Sequence, residues 1–246
     1  YGFENLTSHF WIGKSNLDIA GGEPGVIHNK IILGATWNTL KLAFLSAVIA
    51  AVIGIVIAYI AVRRSNNPLA ILLDQIAFVP FLFPTIAFGA MYLTLFAVPV
   101  GPIPALYGTF TLLVLISVVS RLPYSVKTGI TAVTQIGQEL EEAAEVAGAS
   151  WWQRFRRIIM PLASSGIMSG MMVSFVGVMR ELSLIILLIT PATRVLMTAG
   201  FGYAEEGFIQ LTNALVLIVA LLTIIGELIL WKIGKGRMAR LREKQS

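Results

Sequence analysis

The chain has 246 residues, of which 57% are hydrophobic and 13% charged, with a mean hydropathy of +0.82. Soluble domains carry about 25% charged residues, so a soluble globular fold is excluded. The net charge of +5 is then the cationic bias of membrane-protein loops and not a nucleic-acid signature. Cysteine is absent, which excludes disulfides and thiolate metal sites.

Residues 1–34 read as an extramembrane N-terminal segment. They hold Glu4, Asp18 and Glu23 and no apolar core, so no signal peptide is expected there. Gly21-Gly22-Glu23-Pro24-Gly25 is a turn cluster. Gly13-Lys14-Ser15 resembles the end of a phosphate-binding loop, but Ser8 stands where the pattern needs glycine. No nucleotide site is expected in the chain. His9 and His28 lack the further ligands that a metal site needs. No serine or histidine is paired into a nucleophile–base arrangement.

Residues 35–235 read as an all-α transmembrane domain. Spans need roughly 20 mainly apolar residues, and five are expected. The first runs over 36–62, with Lys41 snorkelling outward from its start. The second, over 69–98, contains Pro80 and Pro84 and is expected to kink or break. The third covers 105–119, with helix continuing towards Ile130 past Arg121 and Pro123. The fourth covers 165–189 and the fifth 209–233, separated by a mixed segment over 195–208. Residues 236–246 form a basic tail.

Arg63, Arg64, Lys127, Arg154, Arg156, Arg157 and the C-terminal lysines and arginines fall on one side of these spans. Only Lys14, Lys30 and Arg194, with Lys41 near the edge, fall on the other. Positive loops stay inside, so the N-terminus is expected outside and the C-terminus in the cytoplasm. An outside N-terminus before five spans calls for an earlier span. The sequence, which opens on Tyr1, is therefore expected to be the C-terminal part of a longer membrane chain.

The charge-dense stretch within residues 135–164 cannot lie in lipid. Leu140 to Ala147 reads as a short amphipathic helix with alanines on a close-packing face. Gly148 permits a sharp turn, Trp151 and Trp152 suit the membrane interface, and Pro161 opens the next element. Read from the residues alone, this is an interfacial helix or a docking helix.

Glu142-Ala143-Ala144 is followed after three residues by Gly148, and after nine more by Ile158-Ile159-Met160-Pro161. This resembles the EAA loop of binding-protein-dependent ABC importer permeases, with Met160 in place of the usual leucine. The wider resemblance covers about residues 36–235, with Leu122-Pro123-Tyr124 before the loop and Arg180-Glu181-Leu182-Ser183 after it. It implies a type I permease-like helical bundle in the inner or plasma membrane of a bacterium or archaeon. Glu142, Ala143, Ala144, Gly148, Ile158 and Pro161 would then couple the spans to an ATP-binding cassette ATPase dimer. ATP and magnesium would be bound by that dimer, with no cofactor and no metal in this chain. The other implied partners are a second permease domain, fused or separate, an extracytoplasmic substrate-binding protein and membrane lipid.

Arg180 and Glu181, with Ser183, are the pathway or gate candidates, because charges within a span face a cavity or a partner. The alternative is a structural pair of Arg180 with Glu181 or with another span. The run from Arg180 to Ser183, Pro191-Ala192-Thr193 and Glu205-Glu206-Gly207 resembles iron(III) importer permeases, which are often two fused halves. Related permeases carry thiamine, phosphonates, polyamines or sulfate. The rivals from other classes are an ATPase-independent secondary transporter or channel and a membrane-embedded enzyme or assembly factor.

Overall fold

A computed structural model describes residues 7–99, 101–102 and 104–243, with side chains to residue 234. The side chains of the expected basic tail, 236–246, lie outside the described residues. Every long element is helical: α1 (Lys30–Arg63), α2 (Pro68–Phe78), α3 (Thr85–Phe96), α4 (Phe110–Thr134), α5 (Glu139–Val146), α6 (Trp151–Leu162), α7 (Ser164–Met179), α8 (Leu196–Glu205) and α9 (Ile209–Glu243).

Three helices, α1, α4 and α9, are long and apolar enough to cross a membrane, and the count reaches five if two broken helix pairs each form one span. The apolar residues on their outer faces support a lipid environment. Phe44, Val52, Val216, Leu228 and Trp231 are each about half exposed, and a helix that is apolar all round belongs in a core or in a bilayer.

Local chemistry sets the helix ends. α1 starts six residues before the expected Thr36, because the Asn29 side chain accepts from the backbone N–H groups of Ile31 and Ile32 at 3.0 and 3.2 Å. That satisfies two of the free donors at the helix start. Asn67 caps α2 in the same way, accepting from Leu69 N–H at 2.9 Å, with Pro68 at the first helical position. The second expected span is broken as its prolines imply: a 3₁₀ turn, Val79–Leu82, separates α2 from α3. α4 begins at Phe110 instead of Ala105, since Pro102, Pro104 and the left-handed Gly108 (φ 74°) hold the chain in turns. It then runs unbroken through Pro123 to Thr134.

The fourth expected span needs correction. α7 stops at Met179, ten residues before Ile189. The Glu181 carboxylate accepts from the Leu184 N–H at 3.2 Å, closing a turn in which Leu184, Ile185 and Leu188 are buried. Arg180 and Glu181 therefore lie just beyond a helix end, not midway along a span.

The chain forms two compact units, each assembled from three segments. One comprises the chain up to Ala43, Thr85–Leu113 and Met179–Ile225. Its core gathers Ile32, Ala35, Leu196, Ala199, Tyr203, Leu211, Leu215 and Val219. Thr39 Oγ1 accepts from the Leu196 N–H at 2.8 Å, and Asn38 donates to the carbonyls of Ala192 and Arg194. Asn29, 2% exposed, donates to Glu23 at 2.7 Å and to the Tyr203 hydroxyl at 3.0 Å. Tyr203 donates in turn to Glu23. Burial, with the Glu23 carboxylate adding, pushes Tyr203 up to about 12 against the opposing bond from Asn29, so the hydroxyl remains a donor at neutral pH.

The other unit comprises Phe44–Pro84, Val114–Val178 and the chain from Gly226. Within it, α1, α4 and α7 touch at small residues. A Cβ on Gly54 would stand 2.6 Å from Ser125 Cβ, and one on Gly129 would stand 2.8 Å from Ala58 Cβ. Gly166 and Gly170 of α7 face Ala132 and Thr128 in the same manner. Small side chains are what allow helix backbones to approach this closely in a membrane. The Ser125 and Ser174 hydroxyls complete the contact at 3.1 Å.

Candidate functional site: a helical hairpin anchored on α1

α5 and α6 form a helical hairpin within the second unit. Its tight corner follows from sequence. The Ala149 N–H donates to the Ala144 carbonyl at 2.9 Å and the Gly148 N–H to the Glu145 carbonyl at 2.8 Å. This is a Schellman closure, which needs a left-handed residue just past the helix. Gly148 supplies it with φ 83°, and its side-chain position opens onto empty space. Ser150 then caps α6 through a capping box with Gln153.

α6 is not a uniform helix. Phe155–Ile159 is π-helical, and the Met160 N–H donates to Phe155, five residues back. Pro161 explains the register: it has no N–H to give Arg157, and its ring would strike that carbonyl in a regular helix. α6 and α7 then meet at a 69° bend. Ile159 and Ala163 are fully buried at the bend, beside Ile55, Val133 and Phe155.

α5 is amphipathic in an unusual sense. Its inward face carries Glu141, only 5% exposed. Tyr59 donates to one carboxylate oxygen at 2.6 Å and Arg63 Nε to the other at 2.6 Å. Arg63 Nη2 also donates to the Ile136 carbonyl at 2.8 Å. Losing one partner of a buried pair of this kind costs about 3–5 kcal/mol. The Tyr59 ring meets Phe155 and Trp151 edge-on, with centroids 5.4 and 6.0 Å away, and Trp151 stacks on Phe155. Glu145 pairs with Arg154 across the hairpin.

The residues singled out from the sequence divide between the two faces. Glu142 and Ala143 are exposed on the outer face, with Val146 beside them at 90% exposure, and Ala144 is half-buried. Glu142 accepts from the Gln138 amide at 2.9 Å. Gly148 and half-buried Ile158 line a hollow of about 400 Å³ with Ala144, Ala147, Arg154 and Arg157. Pro161 is half-buried within α6 and works through the backbone. Sequence reasoning missed Glu141, Tyr59 and Arg63. The available signal was the i, i+4 spacing of Tyr59 and Arg63, which puts both on one face at the end of α1.

Arg180, Glu181 and Ser183 lie in the first unit, apart from the hairpin in sequence. Arg180 is exposed and lines a hollow of about 430 Å³ whose walls include Met197, Val216, Val219 and Thr223. It makes no ion pair with Glu181 and has no hydrogen-bond partner among the described residues. Glu181 is half-buried and Ser183 exposed. Among the described residues no three His, Asp or Glu side chains converge to hold a metal.

An all-helical, multi-span membrane bundle with a structured polar hairpin between its spans is the class of protein these features define. The chain belongs to the family described as binding-protein-dependent transport system inner membrane component, which it matches over residues 50–234. It is 30% identical over 173 residues to the sulfate transport system permease protein CysT of Escherichia coli, covering 65% of this chain and 60% of that one. It is 27% identical over 212 residues to the ferric transport system permease protein FbpB of Actinobacillus pleuropneumoniae, covering 85% of this chain and 30% of that one. The chain thus spans under two thirds of the length of these relatives. The solved bacterial alginate ABC transporter, in complex with alginate pentasaccharide-bound periplasmic protein, shares the fold. Its TM-score is 0.71 at 17% identity, over 83% of this chain and 78% of that one.

Proposed function

We propose that the chain is a permease part of an ATP-driven ABC importer and that it hydrolyses nothing itself. In this reading a substrate-binding protein delivers cargo from outside, and a separate ATPase dimer binds ATP and magnesium. The hairpin at 135–164 docks on that dimer. A second permease domain completes the pathway, the N-terminal segment lies outside and the basic tail inside. The observation that carries the reading is the outer face of α5. Glu142, Ala143 and Val146 are exposed while the inner face is bonded down, in a family of binding-protein-dependent transport components. Small exposed side chains on a short, fixed helix fit a groove in another protein.

We assign iron(III) as the cargo, on the likeness to the ferric permease. Sulfate is the second reading, favoured by the Escherichia coli relative and by Arg180, whose guanidinium suits an oxyanion better than a bare cation. Arg180, Glu181 and Ser183 would line or gate the pathway.

The test is uptake into proteoliposomes holding the chain with its ATPase and second permease domain. Uptake is expected only with ATP on the ATPase side and the loaded binding protein on the other. Labelled iron(III) and sulfate compete to identify the cargo. Uptake that runs without ATP, driven by an ion gradient, would show a secondary transporter instead.

A further inference from the structure

We propose that Glu141, Tyr59 and Arg63 form the joint that passes movement of α5 to α1, with Glu141 as its positioning residue. The proposal rests on the reading of the hairpin as the ATPase-docking element, and it concerns the side turned away from that partner.

Of the four glutamates in α5, Glu141 alone is buried; Glu139, Glu142 and Glu145 are exposed. Both of its oxygens are taken by donors from the last two turns of α1. Arg63 bonds Ile136 as well, just before α5, so the entry to α5 and α5 itself hang on one guanidinium. Tyr59 touches the second arm of the hairpin through Phe155 and Trp151. Both arms therefore converge on residues one helical turn apart. Charge-assisted bonds shielded from water are short and directional, so α5 cannot tilt or slide without carrying the end of α1. α1 is a 34-residue helix that contributes to both compact units. A displacement at the hairpin is thus delivered to the part of α1 from Phe44 onward, which belongs to the same unit as the hairpin.

The experiment uses the complete transporter in proteoliposomes, measuring ATPase retention, ATP hydrolysis, melting temperature and cargo moved per ATP. Glu141→Gln keeps an acceptor for Tyr59 but removes the charge. Tyr59→Phe removes one hydrogen bond and keeps the ring. Both are expected to retain the ATPase and hydrolyse ATP, while cargo moved per ATP falls by about tenfold, within the usual range of coupling between sites. Exchanging the charges, Glu141→Arg with Arg63→Glu, is expected to recover part of that loss. Unchanged transport per ATP in both single variants would overturn the proposal. A lower melting temperature is expected from leaving Arg63 unpaired; transport that falls only in step with ATPase retention, at unchanged cargo per ATP, marks a purely structural anchor and would also overturn the proposal. Failure of the docking reading shows separately, as an unaltered chain that retains no ATPase, and that result overturns both.

Discussion

Gly148→Asp is expected to abolish transport while leaving the permease folded. Gly148 sits at φ 83°, where a side chain meets nothing within 4 Å. The fold therefore bears only the left-handed strain, roughly 1–2 kcal/mol, and Asp tolerates that conformation better than most residues. The docking face bears the rest. The new carboxylate would stand at the hollow lined by Ala144, Ala147, Ile158, Arg154 and Arg157, where a partner's groove would bury it. Taking a carboxylate out of water costs several kcal/mol even beside cations, and every 1.4 kcal/mol is about tenfold in affinity. ATPase affinity should fall by about 100-fold or more, read by co-purification and by ATP-dependent uptake. Intact assembly and uptake would remove Gly148 from the docking surface.

The second large effect lies in the helix packing. Gly54→Leu is expected to prevent folding of the second unit. The first side-chain carbon would stand 2.6 Å from Ser125 Cβ and 2.8 Å from the Ser125 carbonyl carbon. Backbone cannot rotate away as a flexible side chain can. Overpacking a core costs typically 1–3 kcal/mol, and a clash with backbone sits at the top of that range or above it. Gly34→Leu on the same helix is the control, because its position opens on nothing within 4 Å. Detergent-solubilised yield and melting temperature should collapse for Gly54→Leu alone. Equal behaviour of the two variants would show that α1 and α4 are not in close contact there.

How much of this was legible in the sequence depends on what each feature answers to. The break between α2 and α3 was readable, because Pro80 and Pro84 act on their own backbone. So was the turn at Gly148, a local matter of helix termination. The end of α7 was not. Leu182 to Thr190 is apolar enough to pass for helix, and hydropathy does not separate a buried turn from a span. There the Glu181 side chain closes on the Leu184 N–H, a contact that periodicity cannot show. Arg180 and Glu181 were singled out for being charged within a span, yet both follow the end of α7, and Arg180 lines a hollow. The beginning of α1 depends on Asn29, a cap that is also held by Glu23 and Tyr203, the latter 174 residues away.

The hairpin shows the same division. Spacing from Glu142 to Pro161 identified the loop, but it could not tell which of four glutamates turns inward. That phase is set by Tyr59 and Arg63, 82 and 78 residues earlier. The exposed residues Glu142 and Ala143 carry the recognisable pattern on the outer face, and the anchor lies one residue before it. A pattern that selects for a partner's groove marks the exposed side and leaves the inner attachment unmarked.

The most direct measurement is cross-linking from the tip of α5. The chain has no cysteine, so Val146→Cys places a single thiol on a side chain that is 90% exposed. In the assembled transporter a short thiol-reactive cross-linker at this position should join the chain to the ATPase subunit, with a yield that changes between the ATP-bound and ATP-free states. An active, ATPase-containing transporter that gives no such product in either state would contradict the assignment of α5 as the docking helix.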